Sequence, residues 1–206
     1  MSTKRLVRIS YFTLLTIVGG LIKIPAGPVS FTLQTLFVIL SGYVLGAKDG
    51  FFSQLAYMLI GLVGVPIFTQ GGGFSYIFQP SFGYIIAFCM GAFVAGFVMN
   101  KFRTINTWKI WASGLLGLLP IYIIGMAYQV MILVCVNGLT FSAAMFTLVS
   151  ILIYWAIDIV MIFIISIIYP RLMSMMKDKE QNPQIPPEQS SGAVSDEHIS
   201  AKETDK

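Results

Sequence analysis

Residues 142–169 read SAAMFTLVSILIYWAIDIVMIFIISIIY, 28 positions that carry one charged side chain, Asp158. About 20 apolar residues in helix suffice to cross the ~30 Å hydrocarbon core of a bilayer. A run this long and this continuous, without the two-residue alternation of a half-buried strand, reads as a membrane-spanning helix. The rest of the chain agrees. Of its 206 residues 56% are hydrophobic and 11% charged, with a mean hydropathy of +0.82. A water-soluble domain carries nearer a quarter of charged residues, so this chain cannot cover a globular surface with polar groups.

Breaks in hydrophobicity divide the first 175 residues into six segments, at about 6–24, 32–47, 50–65, 82–99, 108–136 and 142–169. Prolines 25, 66 and 170 are placed to end three of them. The expected fold is an all-α integral membrane protein of six transmembrane helices. The second and third segments are short, and the fifth is long enough to be tilted or irregular near Pro120. Short segments beside Gly/Pro loops suggest backbone that lines a cavity, because lipid does not tolerate unpaired backbone groups. The first apolar run is not followed by a small-residue cleavage site, so the N-terminus reads as retained.

Basic residues set the expected orientation. Lys4, Arg5, Arg8, Lys48, Lys101, Arg103, Lys109, Arg171, Lys177 and Lys179 all fall on one side of a six-span arrangement. The opposite loops, about 25–31, 66–81 and 137–141, hold no lysine or arginine. By the positive-inside rule both termini are cytoplasmic. Residues 1–177 therefore read as a six-helix transmembrane substrate-binding domain. Residues 178–206, polar and almost free of large apolar side chains, read as a disordered cytoplasmic tail.

Several chemistries are excluded. The sequence has no GxxxxGK[ST] phosphate loop, HExxH, CxxC or acidic cluster, and its single histidine, His198, lies in the polar tail. No enzymatic activity, metal or cofactor is expected. Cys89 and Cys135 lie within apolar runs and read as buried, unpaired thiols. The net charge of +4 collects at helix ends and is not a nucleic-acid signal.

Two loops and one acid remain as candidates for chemistry. The loops are IKIPAGPVSFTLQ (22–34) and GVPIFTQGGGFSYIFQPSFGY (64–84). Gly71, Gly72 and Gly73 allow close approach to the main chain, and aromatics such as Phe68 and Tyr84 make the second loop too apolar to lie free in water. A lid over a binding site fits that composition; a flexible surface loop is the plain alternative. Asp158 is the only acid within any predicted span, where a carboxylate costs about 2.5–3.5 kcal/mol. It faces either a cavity or an interhelical hydrogen bond to Gln129, Tyr122 or Tyr128. Lys23, at the end of the first segment, either snorkels to the interface or contacts a ligand.

These stretches resemble the BioY-type substrate-binding subunits of energy-coupling-factor vitamin transporters, over about residues 6–172. Ile24-Pro25-Ala26-Gly27-Pro28-Val29-Ser30-Phe31-Thr32-Leu33-Gln34 is close to the family's IPxGPVPxTLQ. Gly64-Val65-Pro66-Ile67-Phe68, followed by Gly71–Gly73, is close to its GLPVF and glycine loop. Gln79-Pro80-Ser81-Phe82-Gly83-Tyr84 matches its GPTGGY at the proline, the second glycine and the tyrosine. The resemblance implies a six-helix domain with an outward pocket that captures biotin without catalysis. It further implies a transmembrane coupling subunit and two cytoplasmic ATPases as partners, in the plasma membrane of a prokaryote, surrounded by lipid.

Two departures stand out. The family's PGDxxK becomes Ala156-Ile157-Asp158 with Met161 in place of the lysine, and the first helix has Ser10 and Leu14 where small-xxx-small spacing is usual. On this reading Asp158 accepts the two ureido N–H groups of biotin, with Gln34 and Thr32 as further polar partners and Tyr84 and Phe68 against the ring. Lys23 or the main-chain N–H groups of Gly71, Gly72 and Gly73 receive the ligand carboxylate. Dethiobiotin or lipoate as ligand, a self-sufficient proton-coupled carrier using Asp158, and a purely structural bundle remain open.

Overall fold

A computed structural model describes residues 2–24, 30–102 and 106–181. Six helices follow in order: α1 (Thr3–Leu21), α2 (Gln34–Leu45), α3 (Ala47–Leu62), α4 (Phe82–Lys101), α5 (Thr107–Cys135) and α6 (Phe141–Gln181). Of these α4, α5 and the Phe141–Arg171 stretch of α6 are long and apolar enough to cross a membrane, and α2 is a shorter apolar helix. Between α1 and α2, strands β1 (Lys23–Ile24) and β2 (Phe31–Thr32) pair antiparallel, Lys23 opposite Thr32. A 3-10 turn covers Phe74–Phe78 in the long loop before α4.

Three expectations change in detail. Pro170 does not end the sixth helix, which runs on to Gln181 with the proline inside it. Proline removes one i to i−4 hydrogen bond, and a helix of this length bridges the gap. The chain does divide beside that residue, into one compact unit up to Ile168 and a second from Tyr169. The third helix starts at Ala47, which brings Asp49 into its first turn, so Asp158 is not the only helical acid. Cys135 is exposed, because it is the last residue of α5, whereas Cys89 is buried; neither is in a disulfide. The tail beyond Gln181 and Pro25–Val29 lie outside the described residues.

Helices α1 to α5 pack through small residues and buried polar groups, as helices must when lipid removes the hydrophobic drive for association. At the α2–α4 crossing, a Cβ on Gly42 would lie 2.4 Å from the Ala92 carbonyl oxygen, so the two backbones touch. Side-chain hydroxyls reach across to helical carbonyls: Ser113 Oγ donates to Ala95 O at 2.7 Å and Tyr43 OH to Ile110 O at 2.6 Å. Between α1, α2 and α3, Gln54 Nε2 donates to Thr16 Oγ1, Ser41 Oγ and Ser53 Oγ at 3.1–3.2 Å, while its Oε1 has no partner.

Lys4, Arg5, Arg8, Lys48, Lys101 and Lys109 gather at one end of this helical unit. The paired strands β1 and β2 and the loop 63–81 gather at the other, which is the face that holds the site.

Candidate functional site

The loop face lies over a narrow cavity of about 60 Å³, partly open to the outside. That is below the ~300–1,000 Å³ range of occupied small-molecule sites, so a ligand of biotin's size needs the loop cap to move outward. Its floor comes from helix faces. Ile151, Tyr154 and Asp158 follow at i, i+3 and i+7 along α6, so one stripe of that helix faces inward. Ile121 and Tyr122 of α5 and Tyr84, Ile85 and Phe88 of α4 supply the apolar walls. Ser30, Phe31, Thr32, Gln34 and Thr35 close the side next to the hairpin.

Asp158 is the one charged residue of the lining and is 5% exposed. Tyr122 OH donates to its Oδ2 at 2.7 Å, and the Thr35 side chain is a second hydrogen-bonding neighbour. Both alternatives held open for this acid thus apply together: it faces a cavity and it bonds Tyr122. A carboxylate offers about four lone-pair directions, so two protein donors leave room for a ligand's N–H groups.

Gln34 lines the cavity but is already engaged. Its Nε2 donates to Tyr57 OH at 2.5 Å and to Thr16 O at 3.4 Å, and its Oε1 accepts from Thr32 Oγ1 at 3.2 Å. Tyr57 OH in turn donates to Ile67 O at 3.5 Å. Gln34 therefore ties α1, α3 and the long loop to the cavity wall, and Thr32 is the wall residue it holds. Tyr84 turns its ring edge-on to Tyr122, with centroids 6.4 Å apart, while its hydroxyl donates to Gln129 Oε1 at 3.1 Å.

The remaining residues singled out from sequence lie beside the cavity, not in its lining. Lys23 is exposed and donates from Nζ to Thr69 O at 2.6 Å, linking the hairpin to the long loop. Phe68 is buried against α3: a Cβ on Gly61 would lie 2.1 Å from its ring. The glycines fold the loop. Gly73 has φ +102°, a region that favours glycine, and its N–H donates to Gly61 O at 2.7 Å. Gly72 passes so close to Val65 that a Cβ would meet the Val65 carbonyl oxygen at 2.2 Å. Gly71 and Phe68 exchange backbone hydrogen bonds of 2.8 and 3.2 Å. The loop is thus a packed cap.

That cap presents three residues that the sequence reading did not place among the ligand contacts. Thr69 Oγ1, Tyr76 OH and Ser81 Oγ form a hydrogen-bonded row with 2.9 Å at each link, and all three line the cavity. Tyr76 is held between Phe68, 4.6 Å away by ring centroids, and Phe82 at 6.4 Å. Tyr128 of α5 fixes the same segment by donating to Ile77 O at 2.5 Å. Hydroxyl residues scattered through a loop carry no spacing signal, and only the glycine turn brings them to one wall.

Apolar walls, a row of hydroxyls and one buried acid are chemically suited to a compact ligand with N–H donors at one end. Among the described residues no three His, Cys, Asp or Glu come together to hold a metal. Fold and site together define a helical membrane protein with a partly open pocket at one end.

Comparison with known proteins agrees. Residues 1–178 match the BioY family, and the chain belongs to it. "Probable biotin transporter BioY" of Lysinibacillus sphaericus is 46% identical over 127 residues, 62% of this chain and 65% of that protein, just under two thirds of its length. "Biotin transporter BioY" of Thermotoga maritima is 43% identical over 123 residues, 59% of this chain and 72% of the relative. The crystal structure of an S-component for biotin from an ECF-type ABC transporter superposes with a TM-score of 0.72 at 26% identity, over 84% of this chain and 95% of the other. These relatives are transporters, in line with the expectation that the chain is not an enzyme.

Proposed function

We propose that this protein captures biotin at the outer face of a prokaryotic plasma membrane, as the substrate-binding subunit of an energy-coupling-factor transporter. The observation that carries the reading is Asp158, a buried acid in the wall of a cavity built from the family's own motif segments. The two ureido N–H groups donate to its carboxylate, held in place by Tyr122 and Thr35. The bicyclic ring lies against Tyr84, Phe88 and Ile121, and the ligand carboxylate points away from Asp158, toward the hydroxyl row and the Lys23 rim. Charge repulsion favours that polarity, since Asp158 is the only charged side chain in the lining among the described residues.

The cations at the opposite end support an orientation with that end in the cytoplasm. Capture alone moves nothing across the bilayer. Uptake then requires a transmembrane coupling subunit and two cytoplasmic ATPases, because this chain has no phosphate loop.

The test is equilibrium binding of labelled biotin to the purified protein in detergent, without partners. Saturable binding near one per chain that lipoate does not displace is expected. Absence of binding in a sample shown to be folded overturns the assignment; displacement by dethiobiotin or lipoate at equal concentration reassigns the ligand. Uptake by the chain alone in vesicles, driven by a proton gradient, would replace capture with a carrier mechanism.

Tyr122→Phe removes the donor that orients the acid. Loss of one hydrogen bond to a charged group, about 1.5 kcal/mol, predicts roughly tenfold weaker biotin binding, with a modest fall in melting temperature in detergent from the donor lost by the buried acid.

A further inference from the structure

Away from the cavity, at the cation-bearing end, α3 and α4 enclose two adjoining clefts that share Lys48 and Phe93. The outer cleft is lined by Arg5, Lys48, Asp49, Asn100 and Lys101 over the rings of Phe93 and Phe97. The inner one continues with Phe51, Phe52 and Met90 and, apart from Lys48, is wholly apolar.

Charge at the mouth is unbalanced. Arg5 Nε lies 2.8 Å from both carboxylate oxygens of Asp49, and Arg5 Nη2 bonds Asp49 Oδ1 as well, so that acid is already matched. Among the described residues neither Lys48 nor Lys101 has a carboxylate partner. Two positive charges are left over, beside the Asn100 amide.

The floor has a length that suggests its occupant. Lys101 and Met90 are eleven residues apart on α4, or about 16 Å at ~1.5 Å per residue. That is half of a ~30 Å hydrocarbon core, the depth of one leaflet. Phe93 and Phe97 stack with 9° between planes, and Phe52, Met90 and Phe97 are 43%, 41% and 56% exposed. The groove is therefore cationic at its mouth, apolar for one leaflet below it, and open along its side.

We propose that this groove holds one anionic phospholipid, with its phosphate at Lys48 and Lys101 and an acyl chain along Phe97, Phe93 and Met90. A partner helix docked there would have no use for the surplus charge, whereas an anionic headgroup neutralises it. Two lysines near an anionic headgroup predict a preference for phosphatidylglycerol over phosphatidylcholine of roughly tenfold to thirtyfold.

The protein in a neutral maltoside detergent is offered each dioleoyl lipid in turn, and retained lipid is counted by native mass spectrometry alongside the melting temperature. One phosphatidylglycerol per chain with a raised melting temperature, and no such effect of phosphatidylcholine, is the expected result. Lys48→Gln/Lys101→Gln should abolish the difference while keeping the melting temperature measured in phosphatidylcholine, which separates lost lipid binding from misfolding. Equal retention of both lipids by the wild type, or an undiminished preference in the double variant, overturns the proposal. Stabilisation by inorganic phosphate or glycerol phosphate equal to that by the lipid also overturns it, since the apolar floor would then play no part.

Discussion

Asp158→Asn is expected to weaken biotin binding about 100-fold in protein that remains folded and monodisperse. The proposed ureido contact uses both oxygens of an ionised acceptor, and hydrogen bonds to a charged group contribute about 1.5–3 kcal/mol. Asparagine keeps the shape and one acceptor, which still receives Tyr122 OH, but turns an NH2 toward a ligand N–H. A lost charged bond and an opposed pair of donors together cost about 2.7 kcal/mol, or a factor of about 100. Isothermal titration of wild type and variant, with the melting temperature of each, decides the matter. Unchanged affinity would take Asp158 out of the site. Lost affinity with an unchanged or higher melting temperature places the effect in binding, because removing a buried charge does not itself destabilise the fold.

Gly42→Val is expected to deplete folded protein altogether. A Cβ at this position meets the Ala92 carbonyl oxygen at 2.4 Å and the Gly96 nitrogen at 3.0 Å, and a Cβ on Gly96 would meet the Gly42 carbonyl oxygen at 2.7 Å. These are backbone atoms, which no rotamer change can move aside. Valine must push α2 away from α4, and α2 begins with Gln34 and carries Thr35, so the cavity opens as the helices part. Overpacking commonly costs 1–3 kcal/mol, and a rigid neighbour on both sides sets this case at about 3 kcal/mol or more. Size-exclusion recovery and thermal unfolding in detergent read the effect. A variant that elutes like the wild type and melts within two degrees of it would show that the crossing can spread freely.

The helices were legible because the apolar runs are long, and apart from the C-terminal end of α6, which runs twelve residues further, their ends moved by at most three residues between sequence and structure. The fourth run, expected over 82–99, is Phe82–Lys101. Pro170 misled because proline biases a helix end without enforcing one, and α6 has enough turns on either side to continue. Asp49 escaped notice because it lies next to the predicted start of a span, where its pairing with Arg5 could not be seen. At the site, Asp158 stood out as an acid in an apolar run, and Gln34, Thr32 and Tyr84 belonged to motifs; all four reach the cavity wall. Lys23, Phe68 and Gly71–Gly73 stood out too, yet they build and tether the cap. Residue type alone does not separate a group that faces a ligand from one that shapes the loop carrying it. Thr69, Tyr76 and Ser81 were silent because their common orientation depends on the positive φ of Gly73 and the close pass of Gly72, which no local pattern encodes.

The polar knot around Gln54 bears on how the chain enters its bilayer. Thr13 and Thr16 of α1 donate back to their own helix, at Ile9 O and Phe12 O, so that helix carries little unmet demand into lipid. Gln54 of α3 cannot do the same: two of its three acceptors, Thr16 and Ser41, belong to α1 and α2. A lone α3 would leave that amide only its neighbour Ser53 in hydrocarbon, and neither α2 nor α3 meets the length and hydropathy of a self-sufficient span. On this ground α3 settles in the bilayer only with α1 and α2 beside it.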